Sequence, residues 1–440
     1  KSSQNGELTT NLNSLKGPLS MAKTTQRQKA HESQLTAKTV AEDLEVLRLG
    51  LSLDSLPVEI ILHICSFLDA EFVIKTLSKV CRYLNDIIND EVTWKIRINR
   101  KWKSDYLPSK VNVENFDWKS ACIEREEQYD LWSNPDRLTF AEWPLHYSSV
   151  DSVHMAKDNL LATGSRDRCL KIWDVSKIDH DNPCEFKDLL VKSINDAHRG
   201  WIWAVKSLGD KLVSASWDTK VKVWAMDRDF EEICCVPCRT AALCLAVQEN
   251  MLAVGVYDKK VLMFDPRQNF RPISWYTRHS RAVLSLVMDN NYIVSGSEDR
   301  TCIVWDRRVW PGKPLKTIVI GNAYVVSMHY NNNMILMGDI SGKIHLLDPQ
   351  NGLFNILTTF PTGHTRNLTD VHHTCGCLIT SSIDRSIRVF HPTDPPEVIR
   401  VLGGFGGEVA ALDYRKNILA AACSDRMLRV WAPRPASDIN

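Results

Sequence analysis

The chain has 440 residues, 44% of them hydrophobic and 24% charged, and a net charge of +1. That length allows two or three ordinary domains and the composition can fill sizeable cores. The charge balance gives no footprint for nucleic acid or a membrane surface, no apolar run reaches the ~20 residues that span a bilayer, and no secretory leader opens the sequence.

Residues 1–50 are expected to be a disordered, basic tail rich in Ser and Thr, with Glu7 and Glu32 the only acids in its first 40 positions. Over 51–103 the apolar residues Ile60, Ile64 and Leu68, then Leu77, Val80, Cys81, Leu84 and Ile88, recur at helical spacing. Asp54 or Ser55 is placed to cap the first helix, Pro57 suits its first turn and Glu59 adds an acid there. A segment of this size is marginal alone and carries apolar side chains on more than one face, so it is expected to bury one of them against a partner. Residues 104–134 carry Phe116, Trp118, Cys122, Ile123 and Trp132 among charges and read as a helical linker packed on its neighbours.

From about residue 150 onward the period becomes two, in short runs divided by Gly, Asp and Asn, which is the pattern of an all-β fold, expected over 135–433. One turn recurs, at Asp167, Asp218, Asp258, Asp299, Ser341, Asp384 and Asp425. Six positions after each stands Trp173, Trp224, Phe264, Trp305, Leu347, Phe390 or Trp431. Such a regular period with a terminal Trp-Asp, intact at Trp173-Asp174 and Trp305-Asp306, is the signature of WD-repeat propeller blades, here seven. His198, His279 and His364 precede Asp218, Asp299 and Asp384 by one constant offset, with Ser214, Ser295 and Thr380 between; His146, Thr163 and Asp167 repeat the set with one extra residue. Ser, His and Asp together also invite a hydrolase reading, but an active site would not repeat from blade to blade, and a buried polar network explains the set. The last unit has no room for a fourth strand, so Arg137–Trp143 is expected to complete it and close the ring. Residues 434–440 form a short tail.

The 13 cysteines are scattered, several of them within apolar runs, as reduced thiols of a cytoplasmic and/or nuclear protein are. His372, His373, Cys375 and Cys377 lack the spacing of paired metal ligands, and Cys235 and Cys238 follow no redox unit. No cofactor and no catalytic residue is expected.

Leu56-Pro57-Val58-Glu59-Ile60, then Ile64, Leu68, Val80-Cys81 and Trp94, resemble the F-box. The order of F-box, linker and WD propeller resembles the F-box/WD-repeat substrate receptors of Skp–cullin–F-box ubiquitin ligases. The resemblance implies docking on the Skp adaptor, and through it on cullin and a RING subunit, by Leu56, Pro57, Ile60, Ile64, Leu68 and Trp94. It implies a propeller face that holds a protein substrate, with the chemistry left to other subunits. The alternative reading is a scaffold that assembles partners on the propeller outside ubiquitin transfer. The substrate face is expected at the channel mouth, from Trp203, Trp217, Tyr257, Arg166, Leu284 and Ile383. Arg166 is the lone guanidinium on that inner ring, and Asp151 is placed to neutralise it.

Overall fold

The recurring turn joins the second and third strands of every blade, and it puts the residue after its Asp position in the left-handed region. Arg168, Thr219, Lys259, Arg300, Arg385 and Arg426 have φ between 64° and 71°, and blade five uses Gly342 at 85°. Six side chains thus accept a conformation that costs a non-glycine residue roughly 1–2 kcal/mol. In five of the six the carboxylate before them offsets that cost by accepting backbone N–H groups, as Asp167 does from Tyr147 at 3.0 Å and Cys169 at 2.9 Å, whereas Asp258 is held by Lys260 Nζ at 2.9 Å.

The coordinates are a computed structural model and describe residues 55–102, 104–111, 116–144, 146–178, 186–309 and 313–434. The tail expected over 1–50 and all but Arg434 of the one over 434–440 lie outside them, as does Asp54. Seven four-stranded antiparallel sheets form the propeller. Blade one runs from Val150 to Ile194, and the innermost strands of the next six begin at Ile202, Ala242, Val283, Val325, Leu368 and Val409. Alternate side chains of each sheet are buried between neighbouring blades; Val213, Val223, Leu252 and Val254, for example, share one inter-blade core. The strand expected at Arg137–Trp143 runs Leu138–Pro144 and pairs with Met427–Pro433, from Leu138↔Pro433 to Pro144↔Met427. The last blade therefore joins both ends of the propeller sequence.

Ahead of the ring stand α1 (Val58–Cys65), α2 (Ala70–Lys75), α3 (Arg82–Asn89) and α4 (Glu91–Lys101). The expected cap differs: α1 begins after Pro57, which occupies the N-cap position, and no side chain caps it. Proline lacks only an N–H that a helix start leaves unpaired in any case. The segment 104–134 is not wholly helical. Asp105–Tyr106 is a short strand paired with Thr393–Asp394 of blade six, followed by α5 (Leu107–Val111) and α6 (Trp118–Ser133). The apolar and charged residues of α6 are distributed around it because it packs on both sides. Ala121 and Cys122 join the core of the first four helices, whereas Leu131 and Trp132 join that of blades six and seven.

Candidate functional site

The polar sets predicted in four blades are assembled and buried. In blade two the Trp224 indole N–H donates to Ser214 Oγ at 2.9 Å, Ser214 Oγ is 2.8 Å from His198 Nε2, and His198 Nδ1 is 3.0 Å from Asp218 Oδ2. Blade one repeats this with Trp173, Thr163, His146 and Asp167, and blade four with Trp305, Ser295, His279 and Asp299. Blade six holds His364 between Thr380 and Asp384, and Phe390 supplies no N–H. The hydroxyl residues of all four are 0% exposed, so no substrate reaches them. Burial lowers the pKa of His146, His279 and His364 against the pull of their Asp partners. Burial works to raise the Asp218 and Asp384 carboxyls, but the hydrogen bonds they accept hold each down at about 2. In blade five Ser341 occupies the Asp position without the role: Asp339 Oδ1 accepts from Ser341 and Lys343 backbone N–H, and its Oδ2 lies 2.9 Å from His345 Nε2. Sequence spacing missed this set because its His follows the carboxylate on the next strand instead of preceding it from an earlier loop.

Among the described residues no group of three or more His, Cys, Asp and Glu side chains could hold a metal ion. His372 turns to Asp413, His373 to His329, and Cys375 to Asn332.

The residues predicted at the helical end divide in two. Ile60 and Ile64 are 48% and 40% exposed, while Ile61 and Cys65 of the same helix are core. Pro57 is exposed; Leu56 and Leu68 are half-buried and pack on the helical core. Val58, Phe67, Phe72 and Val80, which the predicted set omitted, add to the exposed apolar surface. Trp94 corrects the expectation: it is 1% exposed and its indole N–H donates to the Ile88 carbonyl at 2.7 Å, so it holds α3 to α4 and offers no surface. Sequence reasoning also missed Arg97. Its guanidinium donates to the Cys65 and Leu68 carbonyls, and to Glu126 on α6 at 2.9 and 2.8 Å, locking the four helices to the segment 104–134, the arm that joins them to the ring. A charge at the same helical face as Trp94 was the available signal.

The other predicted set does meet at one end of the axial channel, a cavity of about 640 Å³ lined by Trp203, Trp217, Tyr257, Leu284 and Ile383. Trp217 and Tyr257 are exposed, and the other three are half-buried. Arg166 reaches the mouth and is tied to Asp151 at 2.8 Å, as expected. Burial pushes the Asp151 carboxyl up and Arg166 opposes this. Trp201, not predicted, extends the aromatic wall at 6.3 Å from Trp217. No helix of the described residues is long and apolar enough to cross a membrane.

Known families match both parts. The F-box-like family matches residues 53–99, and the WD domain, G-beta repeat, matches 140–174, 190–225, 270–306 and 354–391. F-box/WD repeat-containing protein 9 of Bos taurus is 36% identical over 86% of this chain and 82% of its own length, and that of Homo sapiens is 35% identical over the same shares. F-box/WD repeat-containing protein mec-15 of Caenorhabditis elegans is 27% identical over 87% of this chain and 97% of its own. With likeness of that extent running through helices, arm and ring alike, the chain belongs to the F-box/WD repeat family.

Proposed function

We propose that the chain is the substrate-recognition subunit of a Skp–cullin–F-box ubiquitin ligase. The helical module docks on the Skp adaptor, which links it to cullin and RING subunits, and the propeller mouth holds a protein substrate. The chain's own contribution is proximity, which raises effective concentration without any catalytic residue. The observation that carries this reading is the bare apolar face of α1, Ile60 and Ile64, on a module that already has a complete core beneath it. Burying an Ile side chain is worth roughly 1.5–3 kcal/mol, so a folded helix leaves such a face in water at a cost that a partner recovers. Pro57, exposed just before α1, and the half-buried Leu56 and Leu68 complete the proposed docking set.

Ile60→Ala with Ile64→Ala is expected to weaken capture of purified Skp adaptor by more than ten-fold, since each is placed to act as an interface anchor worth roughly 2 kcal/mol. Both are exposed, so the melting temperature is expected to stay within a few degrees of the parent. Undiminished capture by the folded double variant would overturn the proposed docking.

A further inference from the structure

The mouth of the channel is walled with π faces on one side. Trp201, Trp203 and Trp217 of blade two have ring centroids 6.3–6.4 Å apart, and Tyr257 of blade three meets Trp217 edge to face at 5.8 Å. Faces of this kind attract cations, by an amount that grows as the cation is desolvated. One end of the wall already holds one. The Arg166 guanidinium lies 4.7 Å from the Trp201 ring and 5.9 Å from that of Trp203, steered there by Asp151. The other end is bare: Trp217 and Tyr257 are 45% and 58% exposed.

The charged side chains lining the channel are mostly acidic. Asp151, Glu298 and Asp370 line the channel against Lys206 alone among the fully charged side chains. Glu298 belongs to blade four, the blade after that of Tyr257, and both line the channel. Its partner Arg281 stands at the rim, at 3.1 Å, with side chains 63% and 39% exposed, a pair that an incoming cation can exchange at little cost. A phosphorylated segment would instead meet these carboxylates and two guanidiniums already engaged, Arg166 by Asp151 and Arg281 by Glu298.

We infer that the channel mouth receives a basic side chain, lysine or arginine, displayed by a peptide segment of the partner, stacked on Trp217 and Tyr257 and paired with Glu298. The inference rests on the reading of this face as the substrate-holding one and adds the chemical class. A cavity of about 640 Å³ accommodates a long cationic side chain together with its flanking backbone.

The test is selection of a displayed library of random linear peptides on the full chain. The tightest binder is then measured by fluorescence anisotropy beside a copy with its arginine replaced by citrulline, or its lysine by norleucine. A basic position shared among the selected peptides is expected. The neutral replacement, Glu298→Gln and Trp217→Leu are each expected to weaken binding roughly ten-fold, as the loss of a partly desolvated cation–π contact or its counter-charge does. Three results overturn the inference: no enriched peptide, enriched peptides with no basic residue in common, or binding unchanged in both variants. Apolar or acidic peptides whose binding falls in Trp217→Leu would refute the basic class and leave the substrate-receptor reading standing. The adaptor-capture experiment decides that reading separately.

Discussion

Two arginines are buried in the joint between helices and ring, and their surroundings give them opposite energetic roles. Arg97 is paired with Glu126, whose side chain is only 10% exposed and also accepts from the Ala70 N–H at 2.9 Å. Burial works to raise the Glu126 carboxyl, and Ala70, Arg97 and Lys101 together outweigh it and hold it low. Removing the guanidinium leaves that carboxylate with Lys101 at 3.1 Å and the Ala70 N–H and takes the donor from the Cys65 and Leu68 carbonyls; breaking a buried pair in this way typically costs about 3–5 kcal/mol. Arg125 is 0% exposed and sandwiched 4.1 Å from Trp102 and 4.6 Å from Tyr106, and its three guanidinium nitrogens find no hydrogen-bond partner among the described residues. Burial brings its pKa down to about 10. Its rings recover part of the lost hydration, yet an apolar side chain of similar length would avoid the desolvation altogether. Arg97→Met is therefore expected to lower unfolding free energy by roughly 3 kcal/mol or more in urea titration, and Arg125→Met to change it by less than about 1 kcal/mol in either direction. Equal losses in both would show that the stacking on Trp102 and Tyr106 outweighs the missing hydrogen bonds.

At the scale of elements, the strand Leu138–Pro144 decides whether the ring is closed. Without it the Met427–Pro433 strand has an unpaired edge, and Trp431 loses the Phe140 ring 5.2 Å away. Each ladder hydrogen bond contributes on the order of 1 kcal/mol, and open edges recruit other chains. A chain beginning at Val150 is expected to melt lower and aggregate on heating, where one beginning at Leu131 stays soluble; equal melting curves would refute the importance of the closure. This strand was legible because the repeat leaves its last unit one strand short. The blade count and the His-centred networks were legible for a similar reason: a steady period and a fixed offset are visible without any contact. The WD family matches fall on blades one, two, four and six, those with the His sets, and pass over the other three. Of those three, blade five has its His after the carboxylate and blades three and seven have none, which leaves little beyond alternation in the sequence. The arm was less legible, since Asp105–Tyr106 pairs with Thr393–Asp394 from the far end of the chain and no local pattern marks such a contact. Trp94 was misassigned because the motif that marks a fold's core and the one that marks its docking face are the same string of apolar residues, and only burial separates them.

At the scale of the whole molecule, buried histidines make the ring acid-sensitive. Burial lowers His373 to about 3 and His391 to about 4, and His146, His279 and His364 shift the same way. An unfolded chain protonates these groups near pH 6.5, while the folded one keeps them neutral to lower pH, His373 and His391 to about 3 and 4. The unfolded state thus binds more protons over that interval, and stability falls as pH drops. Each such histidine costs up to ~1.4 kcal/mol per pH unit below about 6.5. The carboxylates held near 2, Asp218 and Asp384, add a second loss below about 4. Melting temperature is expected to be flat from pH 7 to 8, to decline from about 6.5 and to steepen under 4. A constant melting temperature between pH 7 and 5 would contradict the neutral state of the buried imidazoles.

Ring closure also sets an order in time. The helical module is translated before the propeller, yet the ground it packs on, Thr374 and Cys375 against α6 and Thr393–Asp394 against the segment 104–134, emerges only when most of the propeller has been made. At ~5–20 residues per second a ribosome needs roughly ten to fifty seconds to cover that stretch. Throughout it, α6 has no propeller to rest on and Leu138–Pro144 has no partner. Met427–Pro433, the last strand of the propeller to be made, ends the wait. A nascent chain halted anywhere before Met427 would carry the apolar face of Ile60 and Ile64 ahead of an open, unfinished ring.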